Sequence, residues 1–209
     1  TRVTAGGVHT VRQQILRIDN DRPWPPGDAT VAARIRESLS EADALLVSDY
    51  GIGTVTPEAF RDVAAAARAA EVPVVLDSRF ALLSYPGVTA ATPNESEVEE
   101  ALRLPVAGDP ETLERAGREL LDRLETDGLV ITRGSAGMAV FRRGQATEHV
   151  PIHGTDEIAD VTGAGDTVIA TLTCALAAGA DLLAAARLAN VAAGLVVLKH
   201  GTATVPRAE

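Results

Sequence analysis

The chain has 209 residues, with Lys and Arg numbering 19 against 29 Asp and Glu, a formal charge of −10. At 46% hydrophobic residues it can fill a sizeable core, which argues against disorder. The acidic balance argues against nucleic acid or an anionic membrane surface as a partner, and a single cysteine, Cys174, can form neither an internal disulfide nor a cysteine zinc cluster, as expected of a reducing, cytoplasmic setting.

In chain order, the segment from Val8 to Asp19 mixes β-branched and polar residues in partial alternation, the pattern of an extended, half-exposed ribbon. Pro23, Pro25, Pro26 and Gly27 break it, and a helical pattern starts at Thr30. The apolar run Ala44 to Tyr50 predicts a buried strand, and Pro57 opens a helix reaching about Ala70. Val72 to Asp77 predicts a second buried strand and Val88 to Thr92 a third. Helical patterns follow at Glu95 to Leu104 and Pro110 to Leu124, then a strand at Gly128 to Thr132. Met138 to Phe141 and Thr147 to Val150 pair around Arg142-Arg-Gly144, and two alanine-rich helices close the chain at about Ala164 to Ala178 and Leu182 to Lys199. Strands alternating with helices in this way predict an α/β fold, a mostly parallel sheet with helices on both faces. The stretch Thr167 to Ala180 is short of the ~20 apolar residues that span a membrane. The only methionine is Met138, so Thr1 is not a translation start.

Three motifs carry chemistry. Asp160-Val-Thr-Gly-Ala-Gly-Asp-Thr167 stands directly before an apolar helix. Its small residues leave the N–H groups of Gly163, Ala164 and Gly165 open to an anion at the helix start. Asp166 beside them can take a proton from an attacking hydroxyl. The competing reading is a tight turn with Asp166 complementing the helix dipole. Second, in Thr92-Pro-Asn-Glu-Ser-Glu97, Asn94 can contact nucleotide phosphate and Glu97 can hold magnesium through water, or the two can form a capping box. Third, Thr132-Arg-Gly-Ser-Ala-Gly137 can line a nucleotide or simply turn between adjacent strands. A P-loop is absent, because the only lysine, Lys199, is followed by His200, and the four histidines form no helical zinc pair.

These motifs, in this order, resemble the PfkB (ribokinase-like) carbohydrate kinases. Val47-Ser-Asp-Tyr-Gly51, Leu76-Asp77, Thr92-Pro-Asn94, Asp160 to Thr167 and Leu188 to Val205 are most similar to the kinase domain of the D-glycero-β-D-manno-heptose 7-phosphate kinases. The resemblance implies a ribokinase-like fold lacking its N-terminal third, with residues 1–209 one kinase domain and residues 1–19 a β segment adjacent to the lid. It implies ATP and Mg²⁺ as cofactors, K⁺ in some members, a sugar or sugar phosphate as acceptor, and a homodimer. Asp166 is then the base and Gly163, Ala164 and Gly165 the anion hole. Asn94, Thr132, Gly134, Gly137 and Asn190 meet ATP, while Glu97 organises magnesium. Asp160, Thr162, Val196, Lys199 and Gly201 match the monovalent-cation positions, and Arg12 and Arg79 the acceptor contacts. Where heptose kinases carry Pro-Lys after the strand aspartate, this chain has Ser78-Arg79, a planar fork in place of a point charge.

Overall fold

The structure is a computed structural model that describes residues 1–5, 13–18, 29–154, 161–199, 201 and 203–206. Two short strands, β1 (Arg2–Ala5) and β2 (Gln13–Arg17), form an antiparallel ribbon. The sequence pattern identifies β2 and misses β1; residues 8–12 and 19 of the expected ribbon lie outside the described residues.

The main sheet runs in the order β3 (Leu45–Asp49), β4 (Val74–Ser78), β5 (Ala90–Ala91), β6 (Gly128–Thr132), β7 (Met138–Arg142), β8 (Glu148–Val150). From β3 to β6 the pairs are parallel, and β7 and β8 add antiparallel. This is the expected mostly parallel sheet. The third expected strand shrinks to two residues; Thr89 and Thr92 N–H groups still donate to Val74 O and Leu76 O on its flanks, and Pro93, with no N–H, stops the ladder beyond Thr92.

The crossovers are α2 (Pro57–Ala69), α3 (Glu95–Leu102) and α4 (Pro110–Arg123), preceded by α1 (Ala29–Ser38) and followed by α5 (Ala164–Ala177) and α6 (Leu182–Val197). Strand alternation sorts their packing. Leu76, Leu129, Ile131 and Phe141 point to the face covered by Phe60 and Ala64 of α2, Val98 of α3 and Leu113 and Leu120 of α4. Val75, Val130, Met138 and Val140 point to the other, against Ile169 and Leu172 of α5 and Ala185, Ala186 and Ala189 of α6. Alanines on α6 let it lie close to α5. Buried on both faces, the strands read as apolar runs rather than alternating ones. Among the described residues no helix is long and apolar enough to cross a membrane.

Helix starts differ in one respect that bears on function. Thr56, Asn94, Asp109 and Asp181 each place a side-chain oxygen on the first turn of α2, α3, α4 and α6. Helix α5 instead starts from Gly163 in the left-handed region, φ +84°, with no side-chain cap.

Candidate active site

The strand ends and helix starts meet at one edge of the sheet. In an open α/β sheet the crevice beyond the carboxyl ends of the strands is where ligands bind. Asp49 and Tyr50 leave β3 there, Asp77 and Ser78 end β4, Thr92 to Asn94 follow β5, and Thr132 ends β6. Thr132 N–H donates to Pro93 O at 2.9 Å, so Asn94 and Thr132 lie side by side. The uncapped start of α5 faces the same crevice, bringing Asp166 to Tyr50, whose hydroxyl donates to Asp166 Oδ1 at 2.7 Å.

Two adjoining cavities occupy the crevice. A polar one of about 780 Å³ is lined by Asp49, Tyr50, Asp77, Arg79, Thr92, Asn94, Glu97, Arg133, Gly163 and Asp166, among others. A more apolar one of about 420 Å³ is lined by Gly137, Met138, Ile152, Ala164, Val168, Asn190, Ala193 and Val197. Thr132, Gly134, Val161 and Gly165 line both. The structure therefore gathers Asp166, Gly163, Ala164, Gly165, Asn94, Glu97, Thr132, Gly134, Gly137, Asn190 and Arg79 around one crevice. Thr162, Val196, Lys199 and Gly201 line neither cavity. Val196 O accepts the Lys199 N–H at 2.9 Å, and Lys199 Nζ donates to Thr204 O at 2.9 Å. Arg12 and Asp160 lie outside the described residues.

Several details refine the expected roles. Of the expected anion-hole donors, Ala164 N–H is already engaged, donating to Val161 O at 3.2 Å. The first intrahelical bond runs from Thr167 N–H to Gly163 O at 2.9 Å, so Gly165 and Asp166 are the positions whose N–H groups precede it without a helical acceptor. Asn94 and Glu97 form the capping box: Asn94 Oδ1 accepts Glu97 N–H and Glu97 Oε2 accepts Asn94 N–H, each at 2.9 Å. That geometry fixes the Glu97 carboxylate at the mouth of the polar cavity. The Asn190 amide donates to Pro151 O at 2.7 Å, pinning α6 to the segment after β8. At Gly137 a Cβ would stand 2.1 Å from Val150 O, so that glycine is required by the hairpin.

The crevice is acidic. Burial pushes the Asp77 carboxyl up to about 7, with the charges of Glu97 and Asp166 adding to it. Burial raises Glu97 as well, opposed by its hydrogen bond from Asn94 and by the Arg79 guanidinium. Arg133 pairs with Glu95 at 2.9 Å, tying the loop after β6 to α3. Thr92 Oγ1, on the wall of the polar cavity, is buried and has no hydrogen-bond partner among the described residues. Among the described residues no three His, Cys, Asp or Glu side chains gather tightly enough to ligate a metal directly.

The sequence reading gave no role to Tyr50, Asp77, Thr92 or Arg133. Asp77 had a signal in the charge that ends a buried apolar run. Tyr50 stands in the Val47-Ser-Asp-Tyr-Gly51 motif, but nothing in that motif points to Asp166, 116 residues away.

Comparison with known proteins decides the family. Residues 23–208 match the model of the pfkB family carbohydrate kinases. The chain belongs to the pfkB family. It is 43% identical over 201 residues to the bifunctional protein HldE of Geobacter sulfurreducens and 45% identical over 199 residues to that of Halorhodospira halophila, in each case over 94% of this chain. The chain spans 41% of the length of both relatives. Among solved structures, Arabidopsis thaliana ribokinase complexed with ribose and ATP superposes with a TM-score of 0.73 at 24% identity, covering 96% of this chain and 63% of that one. Escherichia coli phosphofructokinase-2 in complex with potassium also gives 0.73, at 19% identity, covering 92% of this chain and 62% of that one. Both share the pfkB fold with this chain, so the crevice at its strand ends is the crevice of a carbohydrate kinase fold.

Proposed function

We propose that this chain carries the ATP-binding and phosphoryl-transfer half of a sugar-phosphate kinase, with a heptose 7-phosphate as acceptor and Asp166 as general base. The observation that carries the reading is the uncapped start of α5, which aims its first N–H groups and the Asp166 carboxylate into the crevice shared by both cavities.

The residues fit a nucleotide. The apolar cavity suits a purine base, walled by Met138, Ile152, Val168 and Val197. The polar cavity joins it at Gly165, where a Cβ would meet nothing within 4 Å, leaving room for phosphate to approach the backbone. Asn94, Thr132 and Gly134 stand where the polyphosphate would run. Glu97 would hold magnesium through water, supplying positive charge against the phosphate oxygens.

In the transfer, Asp166 takes the proton of the acceptor hydroxyl as that oxygen bonds the γ-phosphorus. The bond from γ-phosphorus to the bridging oxygen breaks, and its electron pair leaves on ADP. The Gly165 and Asp166 N–H groups stabilise charge on the phosphoryl oxygens. Arg79, at the rim of the polar cavity with its guanidinium 5.5 Å from the Phe80 ring centroid, is the cation for the acceptor's own phosphate. The β1–β2 ribbon, with exposed Ile15, Leu16 and Ile18, is the lid-adjacent segment in this reading and the apolar surface for a second copy. The heptose acceptor draws support from the two HldE relatives, and a monovalent cation from the potassium-bound structural neighbour.

Asp166→Asn tests the assignment. Turnover of ATP with heptose 7-phosphate should fall roughly 10³-fold or more while calorimetric ATP affinity stays within about threefold, because the base is lost and the cradle is not. Normal turnover in Asp166→Asn would remove the base from this site.

A further inference from the structure

We infer that Tyr50 is a positioning residue for Asp166, its phenol holding one carboxylate oxygen so that the other faces the acceptor. The inference rests on reading Asp166 as the general base.

Asp166 is exposed in the first turn of α5, and an exposed carboxylate there is free to rotate about its side-chain torsions. Tyr50 Oη donates to Oδ1 at 2.7 Å, a short bond to a charged acceptor, and among the described residues this is the side-chain hydrogen bond that Asp166 makes. Fixing Oδ1 leaves Oδ2 for the incoming hydroxyl. Holding the base in one geometry removes an ordering cost that would otherwise fall in the transition state. The phenol is pushed up to about 12, chiefly by that hydrogen bond, so it keeps its proton and acts only as a donor.

Tyr50 is itself firmly placed. Asp49, the residue before it, is buried; its Oδ1 accepts Gly51 N–H at 2.8 Å, and its Oδ2 accepts Ser78 Oγ and Tyr85 Oη, each at 3.0 Å. Arg79 N–H donates to Asp49 O at 3.1 Å, locking the ends of β3 and β4 together. Gly51, at φ +71°, turns the chain against the Phe80 ring, where a Cβ would come within 2.9 Å of Cδ2. Packing does not account for the tyrosine, which is 49% exposed. A corner built this rigidly to carry a half-exposed phenol onto a carboxylate 116 residues away serves the carboxylate.

The test is a double-mutant cycle in the full polypeptide, with ATP and heptose 7-phosphate as substrates. Tyr50→Phe keeps the ring and removes only Oη. It should lower kcat roughly 10- to 100-fold, the range for losing a hydrogen bond to a charged group, with KM for both substrates within about twofold and the unfolding midpoint unchanged. In an Asp166→Asn background the same change should alter residual turnover by less than about twofold, because a residue acting through Asp166 has nothing left to position. An unchanged kcat, a loss confined to KM for the sugar, or an equal loss in both backgrounds would overturn the proposal. If Asp166→Asn alone turns over normally, the assignment of the base fails and this proposal with it. If Asp166→Asn is inactive and Tyr50→Phe is not impaired, only this proposal fails.

Discussion

Gly163 and Gly165 flank Ala164 for different reasons. Gly163 needs its left-handed backbone, φ +84°, to turn the chain into α5. Gly165 has no such need, and a Cβ placed on it meets nothing within 4 Å, so neither backbone nor packing calls for glycine. Glycine in a helix costs up to about 1 kcal/mol relative to alanine, and what offsets that cost in this reading is a phosphate lying against the N–H. Gly165→Ala should therefore stabilise the chain, by up to about 1 kcal/mol in urea titration, and weaken ATP binding measured by calorimetry. A stabilised variant with parental ATP affinity would take Gly165 out of the cradle. At this scale the Gly-Ala-Gly-Asp turn was legible in the sequence because its residues are contiguous. The loss of Ala164 N–H to Val161 O was not, since a local turn geometry decides it.

At the scale of elements, the crevice exists because parallel strands deliver their carboxyl ends to the same edge. Its cost is concentrated at the end of β4, where Asp77 is half-buried near Glu97 at the first turn of α3 and Asp166 at that of α5. With the folded carboxyl raised from 3.8 to about 7, the fold favours its neutral form. That contribution to stability is complete below about pH 4 and is lost as pH rises through about 7. Asp77→Asn should consequently be more stable than the parent at pH 8, with the advantage shrinking toward pH 5, as followed by urea denaturation at both values. A difference that does not change with pH would mean that Asp77 is not desolvated as described. The helices and long strands were readable from periodicity and from Pro57, Asn94 and Pro110 at three of the helix starts. Strand β1 was not, because a four-residue strand in a ribbon buries too little to leave a pattern. The convergence of Asp77, Glu97 and Asp166 was equally hidden, because sheet order rather than chain order creates it.

For the whole molecule, the charge of −10 opposes an anionic ligand, and the crevice does not reverse that sign locally. Arg133 is spent on Glu95, leaving Arg79 as the basic side chain among the polar-cavity residues without a salt bridge among the described residues. In the proposed reading, binding a nucleoside triphosphate here would rest on backbone N–H groups and on a cation brought with it, not on the protein's long-range field. Nucleotide binding and acceptor-driven transfer are thus separable. The most direct measurement follows ADP release and sugar product together in the full polypeptide, with magnesium and ATP, in the presence and absence of heptose 7-phosphate. ADP formation should depend on the sugar phosphate, match the phosphorylated product one for one, and fall roughly 10³-fold or more in Asp166→Asn. ADP release indifferent to the sugar phosphate, or product formation at the parental rate in Asp166→Asn, would contradict the transfer proposed here.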